Sequence, residues 1–392
     1  MNVSVFTIGR FHHFDLARQV LRRGHGMRLY TSNPPSRVDP DLRPFASTHW
    51  RYRVPFAIGG RLGFGAHLYW LDEMLLKDLG RWMSRSLDLD WTDVLHALDG
   101  TDPIAGRFAR ANGKLWICDR GSTHILTQKE ILDAEYKDLG LKPPQFSADR
   151  LERCVAEYEE SHAVTVPSQF AKRSFLQHGI AEKRVYVCPY GVNLSEFRKG
   201  EKRDAKFRVI CVGQITIRKG IGHLLRAVEP LVRKNKLELW LVGQIDSAVQ
   251  PLLDNFKGVF EYKGVCPRKD LWRLYSQASV LVLASVEEGF GLVQAQAMAC
   301  GVPVIATENT GAEDLFKDGV EGFIVTARSP EAIRAKLEWM MDNAARRDGM
   351  AAAALERVKT LGGWDRYGEC VGQVYEQLAA RHEITLHGKE AG

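Results

Sequence analysis

No apolar run in this 392-residue chain approaches the roughly 20 residues needed to cross a bilayer; the longest are of the size of Val280–Ala284. The opening Met1-Asn2-Val3-Ser4-Val5-Phe6 lacks a basic segment followed by a long apolar stretch, so no signal peptide is expected. Cysteine is sparse: seven residues (118, 154, 188, 211, 266, 300 and 370) lie far apart, form no C-x-x-C pair and total an odd number. That weighs against a disulfide framework or structural zinc and predicts reduced thiols in a cytoplasmic protein. A complete G-x-G-x-x-G is also missing. Gly220-Ile221-Gly222 and Gly289-Phe290-Gly291 each lack the third glycine, which argues against a dinucleotide-dependent dehydrogenase.

What is present belongs to a globular chain, 45% hydrophobic and 26% charged, and long enough for two cores. The net charge of +6 is unevenly spread. Ten arginines fall between Arg10 and Arg61, against Asp15, Asp39 and Asp41. A solvated surface is the plainer reading of this face; contact with anionic lipid or an acidic acceptor is the alternative. No nucleic-acid-binding motif accompanies the charge, so no nucleic-acid partner is expected.

Short β-branched runs alternate with helix-length segments throughout. The expected strands are Val3–Ile8, Met27–Thr31, Asp93–Leu98, Lys114–Cys118, Ala163–Val166 and Val185–Cys188. A second series follows at Phe207–Val212, Leu237–Val242, Val259–Tyr262, Val280–Ala284, Val302–Ala306 and Gly322–Val325. Strands apolar on both faces with helices between them indicate α/β architecture with parallel sheets covered on both sides. Two such series predict two Rossmann-like, doubly wound domains facing a central cleft. A closed barrel would need eight even repeats, and the stretch 33–61 breaks that rhythm.

The charged segment 197–204 lacks apolar periodicity and reads as the linker between an N-terminal domain, 1–198, and a C-terminal domain, 205–365. Tyr367, Val371, Val374, Tyr375 and Leu378 lie at helical spacing, which predicts a last amphipathic helix over 366–382 packing back on the first domain. The tail from Glu383 is expected to fray.

In doubly wound domains ligands bind beyond the carboxyl ends of strands. Gly9-Arg10-Phe11-His12-His13 follows the first strand and opens a helix, where Gly9 would let an anion approach backbone amides or would simply permit a turn. Gly213-Gln214-Ile215-Thr216-Ile217-Arg218-Lys219-Gly220 stands in the same place in the second domain. Its Arg-Lys pair would neutralise a diphosphate, although such a pair taken alone is usually solvated surface. The most informative segment runs from Ser285 to Ile305: a strand end, Glu287-Glu288-Gly289-Phe290-Gly291-Leu292, a small-residue helix holding Gln296, then Gly301-Val302-Pro303. Glu288 would accept hydrogen bonds from sugar hydroxyls and Gln296 from a ribose diol. The bland reading of Glu288 is a helix-start acid favoured by the dipole.

That segment resembles the signature of family 4 retaining glycosyltransferases with the GT-B fold, in which two Glu stand eight positions apart around E-G-F-G. Arg23-Gly24-His25, Val187–Phe197, Arg218-Lys219-Gly220 and Thr310–Gly322 resemble further motifs of the same family in the same order. The resemblance implies transfer of a hexose from a nucleotide diphosphate sugar to a glycan or lipid-linked acceptor, with retention, with no metal and no other cofactor. It assigns Glu288 to the sugar and Lys219 to the leaving phosphate, and places Gly9, Gln214, Arg218, Gly289, Phe290, Gly291, Leu292 and Gln296 around the donor. Two departures stand out: Gln296 replaces the second glutamate, and Gln214 an arginine common at that position. The family also has a histidine near the transferred sugar. His124 in Asp119-Arg120-Gly121-Ser122-Thr123-His124 is the candidate, with Arg120, Asp119, His12 and His13 as alternatives. Asp39-Pro40-Asp41 and Asp88-Leu89-Asp90 match the D-x-D pattern of metal-using glycosyltransferases, but neither follows a nucleotide-binding strand, and both read as chance matches. A nucleotide-sugar epimerase or phosphorylase of the same fold, or a donor-binding pseudoenzyme, are the rival readings.

Overall fold

A computed structural model describes residues 1–53, 69–101, 103–193 and 195–382; Arg61 and the tail from Glu383 lie outside them. All twelve expected strands form. The first domain holds β1 (Asn2–Thr7), β2 (Gly26–Thr31), β3 (Ala46–Thr48), β4 (Val94–Leu98), β5 (Leu115–Asp119), β6 (Ala163–Val166) and β7 (Val185–Val187). The second holds β8 (Arg208–Val212), β9 (Glu238–Val242), β10 (Glu261–Tyr262), β11 (Val280–Leu283), β12 (Val304–Thr307) and β13 (Gly322–Val325). β3 is the addition. It pairs with Leu29–Thr31 at the sheet edge and carries no apolar alternation that would announce it.

Each domain is one sheet with strand orders β3-β2-β1-β4-β5-β6-β7 and β10-β9-β8-β11-β12-β13. Every pairing is parallel. Central strands are buried on both faces, as with Val3, Val5 and Phe6 of β1 and all four residues of β11. This is why they read as continuous apolar runs. The strand order reverses between β1 and β4 in one sheet and between β8 and β11 in the other. Such switch points open a crevice at the carboxyl ends of the strands.

The helices covering the first sheet are α1 (His13–Arg22), α2 (Tyr69–Ser86), α3 (Ile104–Ala111), α4 (Ile125–Asp138), α5 (Ala148–Glu160) and α6 (Gln169–Gln177). Those of the second half are α7 (Ile221–Arg233), α8 (Gln250–Asn255), α9 (Leu271–Tyr275), α10 (Val293–Ala299), α11 (Ala312–Leu315), α12 (Pro330–Asp342), α13 (Ala344–Thr360) and α14 (Gly363–Arg381). The apolar stripe of α14 joins the core of the first sheet: Tyr367, Val371, Val374, Tyr375 and Leu378 pack with Val3, Val5, Phe14 and Leu29. Tyr375 reaches His96 of β4 with its hydroxyl 2.7 Å from Nδ1, and Gln19 of α1 donates to Asp365 at 2.9 Å. The chain therefore crosses between domains twice, at 188–207 and at 361–363.

Candidate active site

The second domain supplies a charged cluster. Gly220 ends the loop after β8 in the left-handed region, φ 64°. A Cβ there would fall 1.9 Å from the carbonyl oxygen of Ala284 at the end of β11, so only glycine allows the two loops this close. The Val286 amide donates to the Arg218 carbonyl at 3.0 Å, and the side chains meet beside it. Lys219 Nζ pairs with the Glu288 carboxylate; Arg218 donates to Glu287 Oε2 at 2.9 Å and lies 3.7 Å from Glu288. Burial pushes the Glu288 carboxyl up, but Lys219 and Arg218 outweigh it and hold the group below its ordinary value. Glu288, then Glu287, raise the Arg218 pKa against the opposing effect of burial. Lys219 and Glu288 are each only 14% exposed, so these side chains turn into the protein rather than out to solvent.

Around them, Gly289, Phe290 and Gly291 are buried and Leu292 is half-buried. Gln296 is half-buried on α10 and accepts from the Tyr275 hydroxyl at 3.1 Å. Gln214 is exposed. Gly9 is buried in the loop after β1 of the first domain, its carbonyl accepting from Thr7 Oγ1 at 3.0 Å.

The first domain contributes a carboxylate held among imidazoles. Asp119, at the end of β5, pairs with His12 Nε2, lies 3.1 Å from His13 Nε2 and accepts from Thr165 Oγ1 at 2.6 Å. Burial would raise its pKa; His12 first, then hydrogen bonds and His13, bring it well below the usual carboxylate range. The His12 ring stacks on Tyr190 at 4.2 Å. His12, Arg120, Tyr190 and the half-exposed Phe11 line an interdomain cleft of about 1030 Å³. Arg120 is fully engaged: it donates to Asp99 at 2.6 Å, to the Thr123 carbonyl at 2.9 Å and to Gln128 at 2.8 Å.

Two sequence candidates need correcting. His124 does not line that cleft. It caps α4 by accepting from the Leu126 amide at 3.3 Å and packs against Tyr158, Phe175 and His178. Burial, then His178 and Arg120, lower its pKa to about 3 and keep it neutral. His13 is wholly buried behind His12, with burial again lowering its pKa. Both follow loops of the right kind, but helix geometry turns their rings into the core. Glu287 was missed as a site residue. Its signal was the Glu-Glu doublet, of which family spacing singles out only the second member.

Among the described residues, His12, His13 and Asp119 form the one group with three potential metal-ligand atoms, all within 4.8 Å of one another. The carboxylate already serves both histidines and Thr165. Three of the four aspartates of the D-x-D matches are ion-paired: Asp39 and Asp41 with Arg18, Asp88 with Arg28.

Residues 11–196 match the family model described as Glycosyltransferase Family 4, and residues 193–357 that of Glycosyl transferases group 1. A D-inositol 3-phosphate glycosyltransferase of Nocardiopsis dassonvillei is 30% identical over 53% of this chain and 54% of its own length. The chain thus spans about half the length of that relative. An uncharacterized glycosyltransferase of Methanocaldococcus jannaschii is 25% identical over 74% of this chain and 76% of its own. Among solved structures, sucrose-phosphate synthase from Thermosynechococcus elongatus superposes with a TM-score of 0.73 at 19% identity, covering 97% of this chain and all of that one. Anabaena HepE in complex with UDP-glucose gives 0.68 at 16% identity, again over 97% of this chain and all of that one. At these identities the structures establish the shared fold. No helix among the described residues is long and apolar enough to cross a membrane.

Proposed function

We propose that this chain, which belongs to the family 4 glycosyltransferases with the GT-B fold, transfers a hexose from a nucleoside diphosphate to an acceptor held against the first domain. One observation carries the reading: Gly220 seats on Ala284 so that Arg218 and Lys219 meet the Glu287-Glu288 pair at the mouth of the second sheet. A sugar–phosphate bond that breaks there leaves negative charge on the β-phosphate. Cations and loop amides already in place stabilise that charge more than they stabilise the bound donor, which lowers the barrier. Glu288 accepts hydrogen bonds from the sugar and Gln296 from the ribose. The acceptor hydroxyl oxygen bonds to the anomeric carbon as the bond from that carbon to the phosphate oxygen breaks, and the hydroxyl proton passes to the departing phosphate oxygen. Retention of configuration rests on the family resemblance, as does a reaction needing no metal.

On the acceptor side, Asp119 holds His12 at Nε2 and so sets the ring facing the cleft. Arg10, Arg18, Arg22 and Arg268 line this space together with Asp15, Glu196 and Asp365, and each arginine is paired to one of these or to Asp39 and Asp41. Such a polar lining suits a hydroxyl-rich glycan or lipid-linked acceptor. Similarity to a D-inositol 3-phosphate glycosyltransferase and to a HepE structure in complex with UDP-glucose supports a polyol or sugar acceptor and a uridine donor. A cytoplasmic setting, with the arginine-rich face peripheral to anionic lipid, belongs to the same reading. The departures Gln214 and Gln296 favour, as a second reading, a protein that binds donor without turning it over.

The test begins with a thermal-shift screen of nucleotide sugars, because a ligand that binds only the native state raises Tm. Turnover of the hit is then measured for the wild type and Lys219→Ala. Loss of roughly 100-fold or more in kcat is expected for the variant, in line with removal of a preorganised charge. Near-normal turnover in Lys219→Ala would refute the electrostatic core, and donor binding without transfer across an acceptor panel would favour the second reading.

A further inference from the structure

The two glutamates of the doublet have different surroundings. Glu288 faces Lys219 and Arg218 within its own domain. Glu287 is completely buried and turns the other way, across the domain boundary. Its Oε1 accepts from Ser122 Oγ at 2.5 Å, from the Thr123 amide at 3.1 Å and from Thr123 Oγ1 at 2.8 Å. Its Oε2 accepts from Gln128 Nε2 at 3.0 Å and from Arg218 at 2.9 Å. Four of these five bonds come from the loop after β5 and the first turn of α4, in the first domain. Ser168 of that domain reinforces the contact by donating to the Gly289 carbonyl at 2.6 Å.

A buried carboxylate is costly unless charge and hydrogen bonds compensate it. Opening the cleft would strip Glu287 of its four first-domain donors and leave Arg218 as its partner. Arg218 and Lys219 would then face two carboxylates, a neutral quartet with little attraction for a diphosphate. With the domains together, Ser122, Thr123 and Gln128 carry much of the Glu287 charge, and the guanidinium of Arg218 is freer to serve a phosphate.

From this we infer that Glu287 is an interdomain latch, a positioning residue that couples closure of the cleft to the availability of Arg218 for the donor diphosphate. The inference rests on the glycosyl-transfer reading for its purpose but not for its structural content. It assigns Glu287 no contact with the sugar.

Two readouts separate these parts. Hydrogen–deuterium exchange on the ligand-free full chain reports the latch without turnover. Glu287→Gln removes the charge while nearly keeping the shape, and is expected to raise exchange at least about threefold in the segments 121–128 and 286–292, as local opening demands. Ser122→Ala/Thr123→Val, which leaves both glutamates intact, should raise exchange in the same two segments. In steady-state kinetics Ser122→Ala/Thr123→Val, which keeps the Glu287 charge but strips it of first-domain donors, should lower kcat/KM for the donor about tenfold or more, because Arg218 is then drawn to Glu287 instead of the diphosphate. A contact that serves only folding would lower Tm but leave kcat/KM for the donor unchanged at temperatures well below it. Unaltered exchange in both variants would overturn the latch, whatever the activity; raised exchange with unaltered donor kcat/KM in Ser122→Ala/Thr123→Val would overturn the coupling to Arg218. If Lys219→Ala stays active while exchange rises in these variants, the reading of the reaction fails and the latch stands.

Discussion

Gly289 and Gly121 meet backbone to backbone across the interdomain cleft: a Cβ at Gly289 would lie 2.0 Å from the Gly121 carbonyl oxygen. The Glu288 loop of one domain and the β5 loop of the other thus touch without an intervening side chain. Because this oxygen belongs to the backbone, no rotamer change can make room. Gly289→Ala is expected to keep both cores, since the clash lies between them, and to hold the cleft apart. Its kcat should fall about tenfold or more through loss of the closed arrangement, with Tm within a few degrees of the parent. Steady-state kinetics beside a melting curve checks this, and unchanged kcat contradicts the closed contact.

Gly220→Ala should act on folding as well as on chemistry. It combines a left-handed φ of 64° with a Cβ 1.9 Å from the Ala284 carbonyl oxygen. Together these should cost at least about 2 kcal/mol, from the backbone penalty plus the displacement of two strand ends. Urea unfolding would measure the loss.

Stability should rise with pH on the acid side of neutrality. Burial depresses the folded pKa of His124 from 6.5 to about 3, so the unfolded chain binds the extra proton between those values. Stability attached to His124 is therefore complete above about pH 6.5 and declines as pH falls toward 3. Glu287 adds to this at lower pH. Burial would raise its pKa, but Arg218, Ser122 and Gln128 bring it from 4.5 to about 2, so its contribution is full above 4.5 and is lost as pH falls. Asp314 runs the other way: burial raises it from 3.8 to about 6, and its contribution is lost as pH rises through that range. His162, which burial and then His382 lower to about 4, acts in the same direction as His124. With one of these two offset by Asp314, the net expectation is a Tm that climbs from about pH 4 to 6.5, and a flatter limb in His124→Asn, which keeps a helix cap. An unaltered profile in that variant would exclude His124 as the source.

Leu378 on α14 is fully buried in the first domain's core although it follows the second domain in sequence. Leu378→Ala should destabilise the protein by about 2–5 kcal/mol, the range for deleting buried leucine side chains. Chemical denaturation monitored on the first domain would register it; a loss below about 0.5 kcal/mol, the scale of surface substitutions, would show that the helix is not part of that core.

Turnover is expected to persist after chelation. On the proposed reading, in which Arg218 and Lys219 meet the diphosphate charge, activity assayed with EDTA and again with added Mg²⁺ or Mn²⁺ should agree within about twofold. A large loss restored by one of these ions would instead direct attention to His12, His13 and Asp119.

The apolar runs made twelve of thirteen strands legible, because a strand buried on both faces must be apolar along its length. Ala46–Thr48 escaped since an edge strand is held mainly by backbone bonds, to which side chains contribute little signal. The same limit applied at the site. The Gly220 turn and the Glu288 loop could be read locally, because backbone torsion and motif spacing are properties of consecutive residues. His124 was misjudged for the converse reason: its loop position was clear, but whether an imidazole at a helix cap faces a cleft or a neighbouring ring depends on Tyr158, Phe175 and His178, 34 to 54 positions away.

The order of strands and helices, the two-sheet architecture and the glycine-bounded charged loops were thus determined by local sequence, through periodicity and torsional preference. Tertiary structure alone decided that Asp119 gathers three histidines from two elements, that α14 completes a core begun by β1, and that Glu287 bonds across the cleft while its neighbour Glu288 does not. Adjacent residues at the end of a strand point in different directions. What each one meets is set by how the domains are brought together, and no run of consecutive residues encodes that meeting by itself.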